Sequence, residues 1–368
     1  MMATALLPGL KLSEAFYHEA IRPLLEQHFP GLPHAAALIG SGSEVLGFDD
    51  ALSTDHHFGP RAMLFLSPAD HLRHADALDA LLAHQLPFSF GGFPTHFSPP
   101  DPSDHGVQHL QATTCYPIRH RVEILTADSF WASYLGIDPA AALTPALWLT
   151  LPQQKLRTVV GGAVFYDAVG FEELRRRFAW YPHDLWLYLL AAAWARIGQE
   201  EHLMGRAGMV GDEVGSALIG ARLVRDLMRL GFLMERVYAP YPKWFGTAFQ
   251  RLGCGPQLLP VLTSVLHARS WQERESHLAT AYGTLARLHN ALGVTKMMPE
   301  APCLFFDRPF QVIALHGFAD ELLRGITDPA VQALAQRPLI GNIDLLSDNT
   351  DLLAHPLWQP ALRHLYMD

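Results

Sequence analysis

The spacing of apolar residues changes character near the middle of the chain. In the first half the pieces are short. Residues 12–29 place Leu12, Phe16, Ile21, Leu24 and Leu25 near one face, which predicts a helix. "HAAALIGSGS" reads as a strand entering a turn, and "RAMLFLS" as a second strand. "SPADHLRHADALDALLAHQ" opens with Ser-Pro and carries Leu72, Leu78, Leu81 and Leu82, so it predicts a capped helix. Residues 87–106 are rich in Gly, Pro, Phe and His and predict an irregular loop. "HRVEILT" alternates as a strand does, and "TVVGGAVFYDAVGFEELRRRF" reads as strand, turn and helix. The first half is therefore α/β with few strands.

From about residue 180 the period becomes helical. "DLWLYLLAAAWARIGQEEHLMGRAG" predicts an apolar-lined helix. In the next one, Leu223, Leu227, Leu230, Met234 and Val237 recur at helical spacing and Asp212 is placed to cap the start. "SWQERESHLATAYGTLARLHNALG" predicts a third helix, ended by Gly293. The second half reads as a helical bundle. Its longest apolar run, Leu185–Ala195, is too short to span a bilayer and reads as a buried helix, so no membrane partner is expected.

Composition narrows the function classes. The 368 residues suggest two domains, and 49% hydrophobic with 17% charged residues fits a soluble globular chain with a sizeable core. A net charge of −9 gives no general pull toward nucleic acid or an anionic membrane, although a local basic groove for nucleic acid is compatible with it. Cys115, Cys254 and Cys303 are scattered without zinc spacing, which points to a reduced, cytoplasmic setting. The beginning, "MMATALLPGLKLSEAF", does not read as a signal peptide. The 20 histidines form no HExxH or comparable helical pair.

One segment gathers unusual chemistry. In "LIGSGSEVLGFDDALSTDHHFGPRAMLFL" (38–66), a Gly-Ser turn, a further Gly, carboxylates and two histidines lie between two strand-like runs. A turn built on Gly42 and Ser43 lets backbone approach a ligand, and free N–H groups there suit an anion if a helix follows. Asp55 and His57 alternate onto one face of an extended chain. Carboxylates there suit Mg²⁺, which prefers oxygen ligands. Glu123, amid the apolar neighbours of "RVEIL", is costly on a strand unless paired or bound to metal.

Gly42-Ser43, Gly47 and then "STDHH" resemble the signature of the polymerase-beta-type nucleotidyltransferase superfamily: Gly-Ser, another Gly, an Asp-x-Asp pair, and a third carboxylate on a later strand. The resemblance is nearest to an uncharacterised bacterial branch, a domain of unknown function, whose members carry "GSEVLGFDD", "DH(D/H)xGPR", "GRAGxVGDExGS" and "YAPYxKWFGTAF". All four stand here, at 42–50, 55–61, 205–216 and 238–249. Aminoglycoside nucleotidyltransferases share the layout of catalytic domain followed by helical domain. The resemblance implies an α+β chain: a small mixed sheet nucleotidyltransferase domain over 1–178, then an all-α helical bundle domain over 179–368. It also implies an enzyme, assisted by Mg²⁺ or Mn²⁺, that moves a nucleoside monophosphate from a nucleoside triphosphate to an acceptor hydroxyl on a small molecule, a protein or an RNA.

Carried over residue by residue, Gly42 and Ser43 hold the triphosphate, while Asp55 and Glu123 take the first and third carboxylate positions. His57 stands at the second, so the implied metal set is Asp55, His57 and Glu123. Imidazole is a poor Mg²⁺ ligand and favours softer metals such as Mn²⁺ or Zn²⁺, a departure from the ordinary two-metal arrangement. The stretch from Gly47 to Asp55 is also one residue longer than the compact pattern. Arg61 is a candidate for bidentate phosphate binding or for a salt bridge. Lys243, among Tyr241, Trp244 and Phe245, is a candidate to reach a triphosphate, as a lysine of the helical domain does in related enzymes, or to snorkel over aromatic packing.

Each residue also has a plainer reading: a turn for Asp49, Asp50 or Asp55, a strand-edge surface for Glu123, and structural roles for His56 and His57. Arg222, Arg225, Arg229 and Arg236 form a stripe that suits a solvated face paired with Asp226 and Glu235, or phosphate or acceptor binding. The whole chain then has three readings. One is the nucleotidyltransferase; the second is a nucleotide-binding or regulatory protein of the same fold that lost the transfer chemistry, which His57 favours; the third is a toxin-like enzyme modifying transfer RNA, which the net charge of −9 weakens.

Overall fold

The computed structural model describes residues 8–50, 58–103, 106–138 and 140–367. It divides into two compact units, Met1–Ala142 with Lys155–Ala179 and Leu143–Gln154 with Trp180–Asp368. The segment 143–154, inside the N-terminal span by sequence, thus packs with the helical unit.

The first unit is a small mixed sheet with helices. Its strands are β1 (His34–Leu38), β2 (Arg61–Leu66), β3 (Arg121–Thr126) and β4 (Ala163–Asp167), in the order β3-β2-β1-β4. β1 runs antiparallel to β2 and β4, and β2 runs parallel to β3. All residues of β1 and β2 are buried, which explains why these strands read as continuous apolar runs. On one face, Ala36, Ala62, Leu64, Leu66 and Val122 pack against Phe16, Tyr17, Ile21 and Leu25 and against Leu78 and Leu82. The first four come from α1 (Gly9–Phe16), a π turn at Tyr17–Ile21, and α2 (Arg22–His28). The other two come from α3 (Pro68–Gln85), the crossover that a parallel β2/β3 pair requires. Ser67 caps α3, its hydroxyl accepting from the Asp70 N–H at 3.1 Å. On the opposite face Phe65 stacks on Phe171 at 3.9 Å and meets Phe130 edge-on at 5.7 Å.

Two sequence expectations shift. Residues 87–106 hold strand pieces, with Ser89–Phe90 pairing Phe93–Pro94 and His96–Phe97 pairing Leu110–Gln111. "TVV" at 158–160 ends helix α6 (Gln153–Val160), following α4 (Ala127–Leu135) and α5 (Pro145–Thr150), rather than opening a strand. The strand begins after Gly162, whose φ of +67° and close approach leave no room for a side chain: a Cβ there would sit 2.0 Å from the Leu38 carbonyl oxygen. A helix α7 (Phe171–Arg176) comes next.

The second unit is helical. α8 (His183–Met209) is buried continuously from Leu185 to Trp194, and among the described residues no helix is long and apolar enough to cross a membrane. α9 (Glu213–Met234) starts where Asp212 accepts from the Gly215 N–H at 2.7 Å, and buries Leu223, Leu227, Leu230 and Met234. α10 (Pro242–Gln250), α11 (Gly255–His267) and α12 (Trp271–Leu292) complete the bundle, and Gly293 ends α12 in the left-handed conformation. A hairpin of β5 (Cys303–Phe305) and β6 (Arg308–Val312) adds to it, followed by α13 (Phe318–Arg324), α14 (Pro329–Ala335), α15 (Ile343–Leu346) and α16 (Thr350–Ala354).

His289 is fully buried in this unit. Its Nδ1 accepts from Trp194 Nε1 at 3.3 Å and its Nε2 lies 2.9 Å from Thr295 Oγ1. Burial pushes its pKa down to about 4. The unfolded chain therefore takes up a proton below about pH 6.5 that the folded chain refuses until about pH 4. That contribution is intact above pH 6.5 and is lost as pH falls through this window, by a total of about 3 kcal/mol. Buried Glu201, pushed up to about 7, acts with the opposite sign. The His289 share is thus the difference between wild type and His289→Gln, followed by denaturant unfolding from pH 7 to pH 4. The variant should lose less stability over that range; parallel curves would refute the assignment.

Candidate functional site

The Gly-Ser turn is held by the start of β2. Arg61 donates from Nε to Glu44 Oε1 at 2.9 Å and from Nη2 to Glu44 Oε1 at 2.5 Å and to the Ser41 carbonyl at 2.8 Å. Both side chains are buried, at 9% and 8% exposure. Of its two sequence readings, Arg61 thus makes the salt bridge. Gly42 lies against this pair with φ +141°; a Cβ there would fall 2.4 Å from Arg61 Nη2 and 2.6 Å from Glu44 Oε2. The turn therefore needs glycine for both conformation and space.

The chain does not run from this turn into a helix. Leu46 and Phe48 donate to the Ser43 carbonyl and Gly47 to that of Glu44, closing a few turns only. The helix N-terminus that would have favoured an anion is missing, so only the loop backbone remains to meet a ligand. Asp49 accepts from the Gly9 N–H at 2.8 Å, which is a helix-start role for one of the two acidic residues considered for metal.

Register fixes the rest. Arg61 pairs Arg121 and Met63 pairs Glu123. Ala62, Leu64, Leu66 and Val122 fill the core on one face, so Arg61, Met63, Arg121 and Glu123 share the other. Burial holds the Arg121 pKa below its ordinary value, with Arg61 acting in the same direction and Glu123 and Glu44 opposing. Glu123 is exposed and makes no hydrogen bond or ion pair among the described residues. Its cost on the strand is avoided by exposure, and its carboxylate suits an oxygen-seeking cation. Asp55, His56 and His57 lie outside the described residues. Among the described residues no group of three or more His, Cys, Asp or Glu is arranged to hold a metal ion.

Two groups near the turn had no sequence signal. Gly40 donates to the Thr158 carbonyl at 3.0 Å, and Thr158 Oγ1 lies 2.5 Å from Tyr134 Oη. Lys155, a turn earlier on α6, donates to the Tyr134 carbonyl at 2.5 Å and sits 4.7 Å above that ring. Burial lowers its pKa to about 8. In sequence it is one lysine in "QQKLR"; only packing beside the turn distinguishes it.

In the helical unit, Lys243 is exposed on α10, 5.0 Å from the Trp244 ring. The arginine stripe is divided among tasks: Arg222 pairs Glu200, Arg225 pairs Asp348 at 2.6 Å, and Arg236 lies 4.1 Å over Trp186. Arg229 lines a cavity. Asp212 caps α9, and Glu213 accepts from Trp271 N and Arg274.

The Arg61–Glu44 pair generates a stability prediction. Arg61→Met leaves Glu44 buried and uncompensated and should cost about 3–5 kcal/mol in denaturant unfolding. Removing both charges, with Glu44→Leu and Arg61→Met, should cost less than the two single changes together. Additive losses would mean that the pair does not act as one unit.

Comparison with known proteins adds a partial match. A family model described as "Domain of unknown function (DUF4037)" matches residues 148–245. No curated protein matches. Among solved structures, the chain is similar to a nucleotidyltransferase-like protein from Exiguobacterium sibiricum, at 10% identity over 83% of this chain and 87% of that one, with a TM-score of 0.33.

Proposed function

We propose that the sheet unit is a nucleotidyltransferase domain that moves a nucleoside monophosphate from a nucleoside triphosphate to an acceptor hydroxyl. The observation that carries the reading is the Gly42-Ser43 turn pinned to β2 on the same face as Glu123. The backbone of the turn, held open by Gly42, receives the triphosphate. Arg61 acts through Glu44 and Ser41 by fixing that backbone. Glu123 and Asp55, with His57, would hold Mg²⁺ or Mn²⁺, which neutralises triphosphate charge and activates the attacking hydroxyl. His57 supports the second reading, a nucleotide-binding protein without transfer.

The test is incubation with labelled nucleoside triphosphates and Mg²⁺ or Mn²⁺, following pyrophosphate release and labelled product. Glu123→Gln should keep the fold, since the side chain is exposed, and lower transfer by on the order of a hundredfold. Ser43→Phe should block nucleotide binding measured by calorimetry. Nucleotide binding by the wild type with no pyrophosphate release selects the second reading; unchanged affinity in folded Ser43→Phe removes the site from this turn.

A further inference from the structure

The helical unit forms a partly open cavity of about 250 Å³, the size of a small-molecule site rather than of a buried water. It is bounded by α9, the start of α10 with the preceding residues 239–240, the residues 153–154, and the segment 342–353. Leu233, Pro240, Phe245 and Leu353 give it apolar walls. Its polar groups are largely committed to the protein. The Arg225 guanidinium holds Asp348 at 2.6 Å. The Asp344 carboxylate accepts from the Gln153 N–H at 3.0 Å and from Asn342 Nδ2 at 2.9 Å. The Gln153 side chain in turn accepts from the Ala239 N–H at 3.0 Å.

Arg229 is the exception. Its side chain lines the cavity from α9, and no carboxylate among the described residues lies within ion-pair distance of it. Asp344, Asp226 and Asp348 act on it only from farther away, and Arg225 opposes them; burial lowers its pKa from the ordinary value. A guanidinium keeps its charge at every accessible pH, and this one, half-buried on the cavity wall, presents its fork to an incoming anion. The charges of Arg225 and Asp348 cancel, and Asp344 reaches Arg229 only from beyond ion-pair distance, so the Arg229 fork has room for one anionic group.

We propose that this cavity binds a small organic monoanion with an apolar body, of the class of aryl or branched aliphatic carboxylates. The carboxylate sits on the Arg229 guanidinium and the body lies against Leu233, Phe245 and Leu353. A phosphate dianion is disfavoured, because the Asp344 carboxylate stands at the same wall. This cavity is separate from the transfer chemistry proposed for the sheet unit.

The test uses the full chain, with phenylacetate as probe and phenylacetamide and inorganic phosphate as controls, in thermal unfolding and calorimetry at millimolar concentrations. Phenylacetate should bind saturably and raise the unfolding temperature, while the neutral amide and phosphate should not. Arg229→Met should weaken phenylacetate binding roughly tenfold to a hundredfold, as loss of a charge-assisted contact does. Leu353→Trp, which fills the cavity and leaves Arg229 in place, should abolish binding and decides the matter if Arg229→Met does not fold. Equal binding of acid and amide, preference for phosphate, no binding of phenylacetate, or unchanged affinity in Leu353→Trp would each overturn the proposal.

Discussion

The buried contact between Arg61 and Glu44 is the constraint on which the candidate site depends. A guanidinium and a carboxylate are taken out of water together, at a desolvation cost that only good geometry offsets. Three donor contacts to Glu44 and to the Ser41 carbonyl meet that need. The same contacts tie the loop after β1 to the first residue of β2. Gly42 passes over the pair with no room for a side chain, so the loop conformation, the glycine and the ion pair are set jointly.

Around this point the sheet does the positioning. Parallel pairing of β2 with β3 puts Glu123 one step along the same face from Arg61, and burial of the other face against α1, α2 and α3 leaves β3 one register to adopt. From the opposite side of the turn, Tyr134, Thr158 and Lys155 brace Gly40 through hydrogen bonds and ring contact. A loop so restrained is preorganised backbone.

The helical unit handles buried polarity differently. Glu201 accepts from the N–H groups of Ile313 and Ala314 and so fixes the end of the hairpin against α8. Arg274 reaches Glu213, Ser216 and the Ala268 carbonyl, bracing the starts of α9 and α12. These groups are satisfied within the protein. Arg229 differs from them in lining a cavity with no carboxylate of the described residues within ion-pair distance.

The sequence alone determined the element types wherever a period was long or a signal local. The helices α3, α8, α9 and α12 follow from apolar spacing, the caps at Ser67 and Asp212 and the Gly293 stop, and β1, β2 and β3 from apolar runs between turns. It also marked Gly42-Ser43, a turn-forming pair between two strand runs, and Glu123, a carboxylate amid apolar strand neighbours. It did not reveal that Thr158–Val160 would finish a helix, because β-branched residues suit strands locally while a two-glycine break decides the boundary. Only the tertiary structure gave Arg61 to Glu44 rather than to solvent, brought Lys155 beside the turn, and placed Arg225 and Arg229 of an even stripe at one cavity, where Arg225 meets Asp348 and Arg229 has no carboxylate of the described residues within ion-pair distance. The physical reason is common to all three. Backbone propensity and amphipathic period are properties of neighbouring residues, whereas the partner of a buried charge is set by segments far apart in the chain that meet only on folding.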